Sequence, residues 1–528
     1  MKKSLILLLS LSLIATLLLS ACSKDPESTE PAESTESEQP GDTASQDETG
    51  SDASGIDEDG NGVPDWQEKQ IELTIAFKHY GEDDALNPLF LNALKFSEKY
   101  PNIKVVRDAQ LAVNQSDQEQ LEILTARAMD GTIPDIFYSP LSAEMYDREL
   151  TLDLTPYLDA DPESKWISEN AKEFIKSYDG KEIYGLPWMS TGQFPAINIR
   201  LLRENNIAIP PYNWTYQDYE NLRSEVAKLT PNNPIFPGII EFIDHGPHYF
   251  DSIPNGWKAF NTETRRFDFT NSVGFGAWLD QFAKENKQGL HFWDLPEEDR
   301  KKKVGDLGWP WGDGLEVVGN IWMHALSGDI TEMVKNRKME IDIYPMPKAP
   351  EGGTTSIHAY YDTLSISSFL AEDPVKAEAA YHLLKWLTYG EEGLRSRWAL
   401  IDEYMGLPED APLRAEDRMA DFVQGWPVTT NPEVLKDHPF VKGFPEDSEA
   451  AIYNFAAFQN VDFQQMLANP VPYPRNLPAV AKVYETLNPW QIRDQIRDEG
   501  KKYDDVAAEW DEMLNKSLDD YLREYNKQ

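Results

Sequence analysis

Residues 179–207 place the strongest constraint on how this chain can fold. A turn containing Gly180 leads into a short apolar segment with Trp188, a polar stretch beginning at Ser190 follows, and a second apolar strand ends near Asn198. That order is typical of a chain that leaves one β-sheet and enters another. Ligand sites favour domain boundaries that offer an aromatic floor and a few polar groups. The stretch therefore predicts two domains with a cleft between them.

Length and charge narrow the possible functions. A chain of 528 residues exceeds what one hydrophobic core usually supports, so at least two domains are expected. The 91 acidic and 49 basic residues give a formal net charge of −42, whereas nucleic-acid binding needs a positive surface. We therefore expect no nucleic-acid partner.

The motifs GxSxG, GxxxxGK and HExxH are absent from the sequence, and no placed acid and base can be recognised, so we expect neither catalysis nor an organic cofactor.

The N-terminus predicts a membrane anchor. Residues 1–21 carry two lysines, an apolar run and small residues before Cys22, a pattern that is typical of a signal peptide. The ending LSAC resembles a bacterial lipobox, which implies cleavage before Cys22 and attachment of lipid to it. An ordinary signal peptide with an incidental cysteine is the alternative. Residues 22–56 are mostly polar and acidic, and we expect a disordered tether at the extracellular face of the cell membrane.

Residues 57–68, DEDGNGVPDWQE, match the spacing of a calcium-binding loop. EF-hand loops supply oxygen ligands from positions 1, 3, 5, 7, 9 and 12 around a glycine at position 6, which is Gly62 here. These positions are Asp57, Asp59, Asn61, the carbonyl of Val63, Asp65 and Glu68. Because Pro64 interrupts the loop and no long helix precedes it, the segment resembles the single loops of dockerin or thrombospondin type 3 repeats. We predict a structural Ca²⁺; the alternative is an acidic linker that matches by chance.

The next part of the chain alternates strands and helices. The sequence predicts strands over 71–77, 103–106 and 135–138, and helices over 88–99 and 117–129, with Asp117 capping the latter. An open α/β sheet binds ligands at the carboxyl ends of its strands. Tyr138, at the end of the third strand, is therefore a candidate ligand contact. The fold class expected is α/β, with mixed sheets flanked by helices.

Several short motifs occur in an order that points to one family. They are FSEKYPNIKV at 96–105, LTLDLTPYLDADP at 150–162, GKEIYGLPW at 180–188 and EVVGNIWMHAL at 316–326. In this order they resemble the extracellular solute-binding proteins (family 1, carbohydrate-type) of ABC transporters, over about residues 70–525. The resemblance implies a two-lobed, periplasmic-binding-protein-like fold of type II with its ligand between the lobes. We predict that lobe 1 comprises 70–186 and 359–405, and lobe 2 comprises 187–358 and 406–528.

The resemblance also implies a function. We expect a monomer that captures a sugar or oligosaccharide by hinge closure and delivers it to ABC permease subunits. In the family, the Trp of the segment that resembles 316–326 faces the sugar, which indicates Trp322. The resemblance also implies that the chain crosses back to the first lobe near Tyr360, Tyr361 and Asp362, and that these residues face the cleft. The predicted ligand contacts are Tyr138, Trp188, Thr191, Trp309, Trp311, Asn320, Trp322, Tyr360 and Tyr361. Burial in a core is the alternative for each. A surface-anchored carbohydrate-active enzyme, or a ligand sensor or adhesion module on the same fold, remains an alternative function.

Overall fold

A computed structural model provides the structure of the chain. It describes residues 55–77, 87–108, 116–139, 142–238, 256–257, 260–261, 263–306, 309–348, 355, 357–408, 410–415, 422–423, 425–472, 479–480, 483 and 490–525. The predicted signal peptide, Cys22 and almost all of the tether lie outside these residues. Among the helices that the structure describes, none is both long enough and apolar enough to cross a membrane.

The strands occur throughout the described chain. In chain order they are β1 (Ile71–Ala76), β2 (Ile103–Arg107), β3 (Ile136–Tyr138), β4 (Leu186–Asn198), β5 (Phe236–Gly238), β6 (Gly256–Trp257), β7 (Phe260–Asn261), β8 (Arg266–Phe267), β9 (Glu316–Trp322), β10 (Ile341–Ile343), β11 (His358–Ile366) and β12 (Val471–Pro472).

One short helix precedes the first strand, and the other helices lie between the strands or after them. Those of the first half are α1 (Asp65–Glu68), α2 (Pro88–Lys99), α3 (Asp117–Met129), α4 (Ser142–Asp147), α5 (Thr155–Ala160), α6 (Glu169–Phe174), α7 (Ile199–Glu204), α8 (Tyr216–Ala227) and α9 (Val273–Lys287). Those of the second half are α10 (Glu297–Val304), α11 (Leu326–Ile330), α12 (Pro374–Thr388), α13 (Glu391–Met405), α14 (Pro412–Ala415), α15 (Pro432–Leu435), α16 (Pro439–Lys442), α17 (Val461–Ala468), α18 (Trp490–Arg497) and α19 (Tyr503–Tyr525).

The predicted α/β fold with a mixed sheet is confirmed. The strands follow the order β2-β1-β3-β11-β4-β9-β5, with β10 pairing to β4 and β12 to β11. β1 is parallel to β2 and β3, whereas β11 runs antiparallel to β3 and to β4. On the other side, β9 is antiparallel to β4 and parallel to β5. β6, β7 and β8 form a separate antiparallel sheet.

β4 joins the two halves of this sheet. Its first residues pair with β11 and its last residues pair with β9 and β10, so the crossing predicted around residue 190 is one continuous strand. All thirteen residues from Leu186 to Asn198 are buried, because other elements cover both faces of β4. Asn198 then ends the strand, and its side-chain oxygen accepts a hydrogen bond from the backbone N–H of Leu201 at the start of α7.

Separate hydrophobic cores lie on the two sides of the crossing. One packs β1 and β3 against α2 and α12, through residues such as Leu73, Ile136, Phe96 and Leu384. The other contains residues of β9, β10 and the C-terminal helix α19, such as Val318, Ile343, Trp510 and Leu518. β4 supplies Leu186 to the first core and Ile197 to the second. The arrangement explains why one strand organises both halves of the molecule.

Helix α13 touches both halves. Its buried residues Leu394, Trp398 and Tyr404 belong to the second core, although the predicted boundary at residue 405 places the helix in lobe 1. On its exposed side, Glu403 lies 3.2 Å from the ammonium of Lys95 on α2. Contacts join Ala53–Gln528 into one unit, and the predicted lobe boundaries stay a prediction.

Polar side chains cap the N-termini of helices α3 and α12. Ser116, rather than the predicted Asp117, caps α3: its hydroxyl accepts from the backbone N–H of Glu119, whose carboxylate accepts from the backbone N–H of Ser116. A cap lies just before the first helical residue, so Asp117 is one position too late for this role. Asp373 caps α12, because its carboxylate accepts from the backbone N–H of Lys376 in the first turn of the helix.

Candidate functional site

The candidate site lies where β4 passes between β11 and β9. Tyr360 on β11 is directly opposite Thr191 on β4, and Trp322 at the end of β9 is directly opposite Gln193 on β4. Residues that lie opposite one another on neighbouring strands bring their side chains to the same face. The register therefore gathers residues from three strands at the junction of the two halves of the sheet, and β4 lies more than a hundred positions before the other two in the sequence.

Aromatic rings form one part of the site. The centroids of the Trp322 and Tyr360 rings are 5.7 Å apart, with an angle of 30° between the ring planes. The centroid of the His324 ring lies 5.6 Å from that of the Trp322 ring. Trp322 and Tyr360 are half-buried and His324 is exposed, so parts of all three rings remain accessible. The accessible parts of these neighbouring rings offer an aromatic surface on which a flat apolar group can pack.

Two polar pairs border this surface. The Thr191 hydroxyl oxygen lies 2.6 Å from Nδ1 of His324, and it also accepts a hydrogen bond of 3.3 Å from the His324 backbone N–H. The Tyr138 hydroxyl donates to Oδ1 of Asp362 at 3.0 Å, and Asp362 lies two residues beyond Tyr360 on β11. The protein around His324 removes water from near the ring and thereby lowers its pKa, although the ring itself remains accessible. The imidazole is therefore neutral at pH 7.

Five of the predicted contacts lie at or beside this junction. The structure brings together Tyr138, Thr191, Trp322 and Tyr360 through the contacts above. Asn320 is half-buried on β9, two residues before Trp322 and therefore on the same face of the strand. The prediction missed His324, which the sequence could have indicated only by its position two residues after Trp322.

Three predicted contacts lie in the cores instead, each with 4% of its surface exposed: Trp188, Trp311 and Tyr361. Tyr361 follows Tyr360 on the same strand, and successive side chains point to opposite faces, so its hydroxyl donates to the carbonyl of Pro470 inside the protein. Trp188 packs in the first core, where the Arg397 guanidinium lies 5.7 Å from its ring.

Trp311 packs on the far side of β9, and Trp309 packs against the second core. The Trp311 indole lies so close to Gly319 that a Cβ atom there would be 2.1 Å from its ring. Since Gly319 and Asn320 are neighbours on one strand, Trp311 lies on the face opposite to that of Asn320 and Trp322. Trp309 is half-buried, packs against the second core and lies over Gly312. The structure therefore places the Trp311 ring on the face of β9 away from the Trp322 surface.

The 57–68 segment forms a compact turn at the start of the described chain. Carboxylate oxygens of Asp57 accept hydrogen bonds from the backbone N–H groups of Gly60, Asn61 and Gly62, and Asn61 Oδ1 accepts from that of Val63. Gly62 has a φ of 86°, which is easily adopted only without a Cβ atom. These bonds draw the chain around the side chains at positions 1, 3 and 5 of the predicted loop.

The donor set of this loop fits a hard cation, but its side chains also bind one another. The Asn61 amide nitrogen donates to Asp59 at 3.2 Å and to Glu68 at 2.9 Å, and the Lys69 ammonium binds Asp65 at 2.7 Å. In this arrangement, no group of three His, Cys, Asp or Glu side chains in the described part of the chain is placed to hold a metal ion. Ca²⁺ would require Asn61 to turn its amide oxygen toward Asp59 and Glu68.

The loop is fastened to the first core. Trp66, at loop position 10, is buried and stacks on the His382 ring, with centroids 4.1 Å apart and an interplanar angle of 20°. Just before the loop, the Ile56 backbone N–H donates to the carboxylate of Glu378 on α12 at 3.1 Å. Order in the loop is therefore linked by direct contact to helix α12.

Comparison with known proteins identifies the fold. Neither a family model nor a curated protein sequence matches this chain. Solved structures do match. An ABC substrate-binding protein from Listeria monocytogenes in complex with cycloalternan is 17% identical, with a TM-score of 0.52 over 85% of this chain and 99% of that one.

Two further solved structures match this chain over a similar share of its length. The cyclic alpha-maltosyl-1,6-maltose binding protein from Arthrobacter globiformis is 14% identical, with a TM-score of 0.58 over 85% of this chain and 98% of that one. The sugar-binding protein MalE from Xanthomonas citri is 13% identical, with a TM-score of 0.56 over 87% of this chain and 100% of that one. The chain therefore has the fold of the ABC solute-binding proteins, as predicted.

Proposed function

We propose that this chain is the substrate-binding subunit of an ABC importer and that it binds a sugar or oligosaccharide. The observation that carries the proposal is the accessible aromatic surface of Trp322 and Tyr360, bordered by the pairs Thr191–His324 and Tyr138–Asp362. It lies at the junction of two separately packed halves, which is where a hinged protein encloses its ligand. The shared fold, and the sugars named for proteins of that fold, support the proposal.

The chemistry of the site suits a sugar. One face of a pyranose ring is covered by C–H groups and packs on an aromatic ring, while its hydroxyl groups both donate and accept hydrogen bonds. Trp322 and Tyr360 offer the rings. Asp362 offers a carboxylate acceptor, and Thr191 with His324 offers a neutral polar pair. The site thus combines the two kinds of contact that sugar recognition needs.

The proposed location of the protein in the cell is based on its N-terminal sequence. Cleavage before Cys22 and lipidation of this cysteine would hold the protein at the extracellular face of the cell membrane, with the acidic segment 22–56 as a tether. The partners would be permease subunits in that membrane, and the protein would act as a monomer. We also propose that residues 57–68 bind a structural Ca²⁺, because carboxylate and amide oxygens occupy the required loop positions and the backbone already curves around them.

The experiment that tests the function is a binding screen on the mature chain. Isothermal titration calorimetry and thermal unfolding would be measured with cycloalternan, maltose, maltotriose, lactose and xylobiose, and with amino acids as controls. A ligand at a hundred times its Kd stabilises the folded state by about 2.7 kcal/mol, which gives a measurable rise in Tm. Binding of one sugar class supports the proposal. Absence of binding by every sugar contradicts it, and release of shorter sugars during incubation would favour the carbohydrate-active enzyme instead.

A further inference from the structure

His324 is placed to contact whatever covers the Trp322 ring. It lies in the short turn Met323–Ala325 that directly follows β9, its ring is 5.6 Å from the Trp322 indole, and its side chain is exposed. The Nδ1 side of the ring is occupied by Thr191, 2.6 Å away. The two ring nitrogens of a histidine have different roles, and the partner of one nitrogen fixes the role of the other.

The hydrogen-bond partners of Thr191 assign the proton between its hydroxyl and the His324 ring. A threonine hydroxyl has one proton and two lone pairs, and the His324 backbone N–H already donates to this oxygen at 3.3 Å. Thr191 is buried, so its hydroxyl proton needs an acceptor inside the protein, and among the described residues Nδ1 of His324 is the acceptor within hydrogen-bond distance of it. Thr191 therefore donates its proton to Nδ1 of His324. In the neutral ring, the remaining proton is then carried by Nε2.

We propose that His324 is a ligand-binding residue that Thr191 holds as the Nε2–H tautomer, so that Nε2 donates a hydrogen bond to an oxygen of the bound sugar. The inference rests on the proposed function and deepens it. It makes Thr191 a positioning residue, which acts on the ligand through His324. It also gives the site a hydrogen-bond donor of fixed direction next to the Trp322 ring, so that a sugar oxygen can be recognised in one orientation.

The tautomer can be measured without any ligand. Two-bond ¹H–¹⁵N correlation spectra of the mature chain distinguish the protonated nitrogen of each of its eight histidines, and loss of one signal set in His324→Gln assigns His324. We expect the Nε2–H pattern in the wild type and in Thr191→Ser, which keeps the hydroxyl. Thr191→Val has the same shape without the hydroxyl, and we expect it to increase the Nδ1–H form. An Nδ1–H pattern in the wild type overturns the inference.

The binding contribution is measured by calorimetry with the tightest-binding sugar among cycloalternan, maltose, maltotriose, lactose and xylobiose. His324→Ala should weaken binding about fivefold, as expected for the loss of one neutral hydrogen bond, and His324→Gln should recover most of it because its amide N–H reaches the same region. Thr191→Val should weaken binding about twofold, and Thr191→Ser should bind like the wild type. Thermal unfolding confirms that each variant is folded.

Failure of this inference differs from failure of the proposed function. A wild type that binds a sugar while His324→Ala binds it equally well overturns the role of His324 and leaves the proposed function standing. A wild type that binds none of the five sugars contradicts the proposed function, and the role of His324 in sugar binding is then overturned with it. In that case the spectra still decide the Thr191–His324 proton assignment.

Discussion

The indole of Trp322 and the phenol ring of Tyr360 face each other across β4, with centroids 5.7 Å apart and ring planes inclined by 30°. Trp322 ends β9 and Tyr360 lies on β11, and these strands pair with β4 on opposite edges. One aromatic surface is therefore assembled from both halves of the sheet. A ligand that covers this surface contacts both halves at once, which is the condition for coupling binding to a hinge motion.

Replacing Trp322 should weaken sugar binding strongly. Trp322→Ala removes the largest ring of the site together with its contacts to Tyr360 and His324. Aromatic contacts contribute about 0.5–1.5 kcal/mol beyond the area that they bury, and about 1.4 kcal/mol corresponds to a tenfold change in affinity. We expect the Kd of a bound sugar to rise at least about tenfold, as measured by calorimetry.

Trp293 provides the matched control for that substitution. It is 56% exposed on a short helix of the second half, where the Arg300 guanidinium lies 5.7 Å from its ring, and it takes no part in the Trp322 surface. Trp293→Ala should leave the Kd unchanged. Equal losses in both variants would mean that the site described above is not where the sugar binds.

Ca²⁺ should stabilise the N-terminal loop. We expect added Ca²⁺ to raise the Tm of the wild type and chelator to reverse this, because the ion would bind the folded loop and not the unfolded chain. Tb³⁺ bound in the loop should luminesce on excitation of Trp66, which lies within the same loop at position 10. Glu68→Gln removes the carboxylate of position 12 and should abolish both effects.

Glu58 distinguishes a calcium site from general charge effects. It occupies position 2 of the loop and binds Lys69 at 2.8 Å, outside the predicted ligand set. Glu58→Gln removes the same amount of charge as Glu68→Gln and should keep both the Tm shift and the luminescence. If the two variants respond alike, the segment is an acidic linker.

The sequence predicts the elements of this fold better than it predicts which side chains face the ligand. Strand and helix patterns are local, so α2 and α3 are found at their predicted bounds, 88–99 and 117–129. The face of each residue depends on register and on what packs against it. Tyr360 and Tyr361 are neighbours with the same side chain, yet one borders the site and the other is 4% exposed in a core.

The parts of the candidate site that the sequence does not predict depend on contacts between distant segments. Thr191 and His324 are 133 positions apart, and only the pairing of β4 with β9 brings them together. Trp311 has the aromatic neighbours and glycines expected of an exposed loop, but Gly319 leaves room for its ring inside the second core. Neither relationship leaves a pattern within a single stretch of sequence, because each depends on tertiary packing.

The buried ion pair of the second half should contribute strongly to stability. The Arg223 guanidinium binds both carboxylate oxygens of Glu285, at 2.8 and 2.5 Å, and both side chains are buried. Glu285→Gln removes the buried bidentate partner of Arg223 and leaves its charge with only the partly exposed carboxylate of Glu220, 3.4 Å away. Loss of one partner of a buried pair costs about 3–5 kcal/mol. Urea unfolding at pH 7 should show a decrease of that size in the free energy of unfolding.

The same pair should be sensitive to acid. Burial raises the pKa of Glu285, but contacts with His291 and Arg223 outweigh this and hold it at about 2, below the ordinary 4.5. The folded state therefore loses this contribution as the pH falls from about 4.5 toward 2. Glu285→Gln should flatten the stability curve in that range. Glu297→Gln on α10, which breaks an exposed pair with Lys301, should leave the free energy of unfolding unchanged.

His438 should make the protein less stable between pH 6.5 and 5. Its ring is fully buried, 4.4 Å from the Trp426 ring, and Nδ1 accepts from the backbone N–H of Phe440 at the start of α16. Burial, and then the charge of Arg397, lowers its pKa well below the ordinary 6.5. The unfolded chain therefore binds a proton at His438 that the folded chain does not, and stability decreases as the pH falls below 6.5.

His438→Asn tests this dependence because asparagine can cap α16 in the same way and does not titrate. Asp329 also titrates in this range; burial raises its pKa to about 6, which makes its effect opposite in sign, and it is unchanged in the variant. Between pH 6 and 5, the free energy of unfolding of the wild type should fall by about 1 kcal/mol more than that of His438→Asn, by urea unfolding. If the free energies of unfolding of the two proteins fall in parallel, His438 takes up its proton in the folded protein as well. It would then need a partner for its charge beside Trp398 and Trp426.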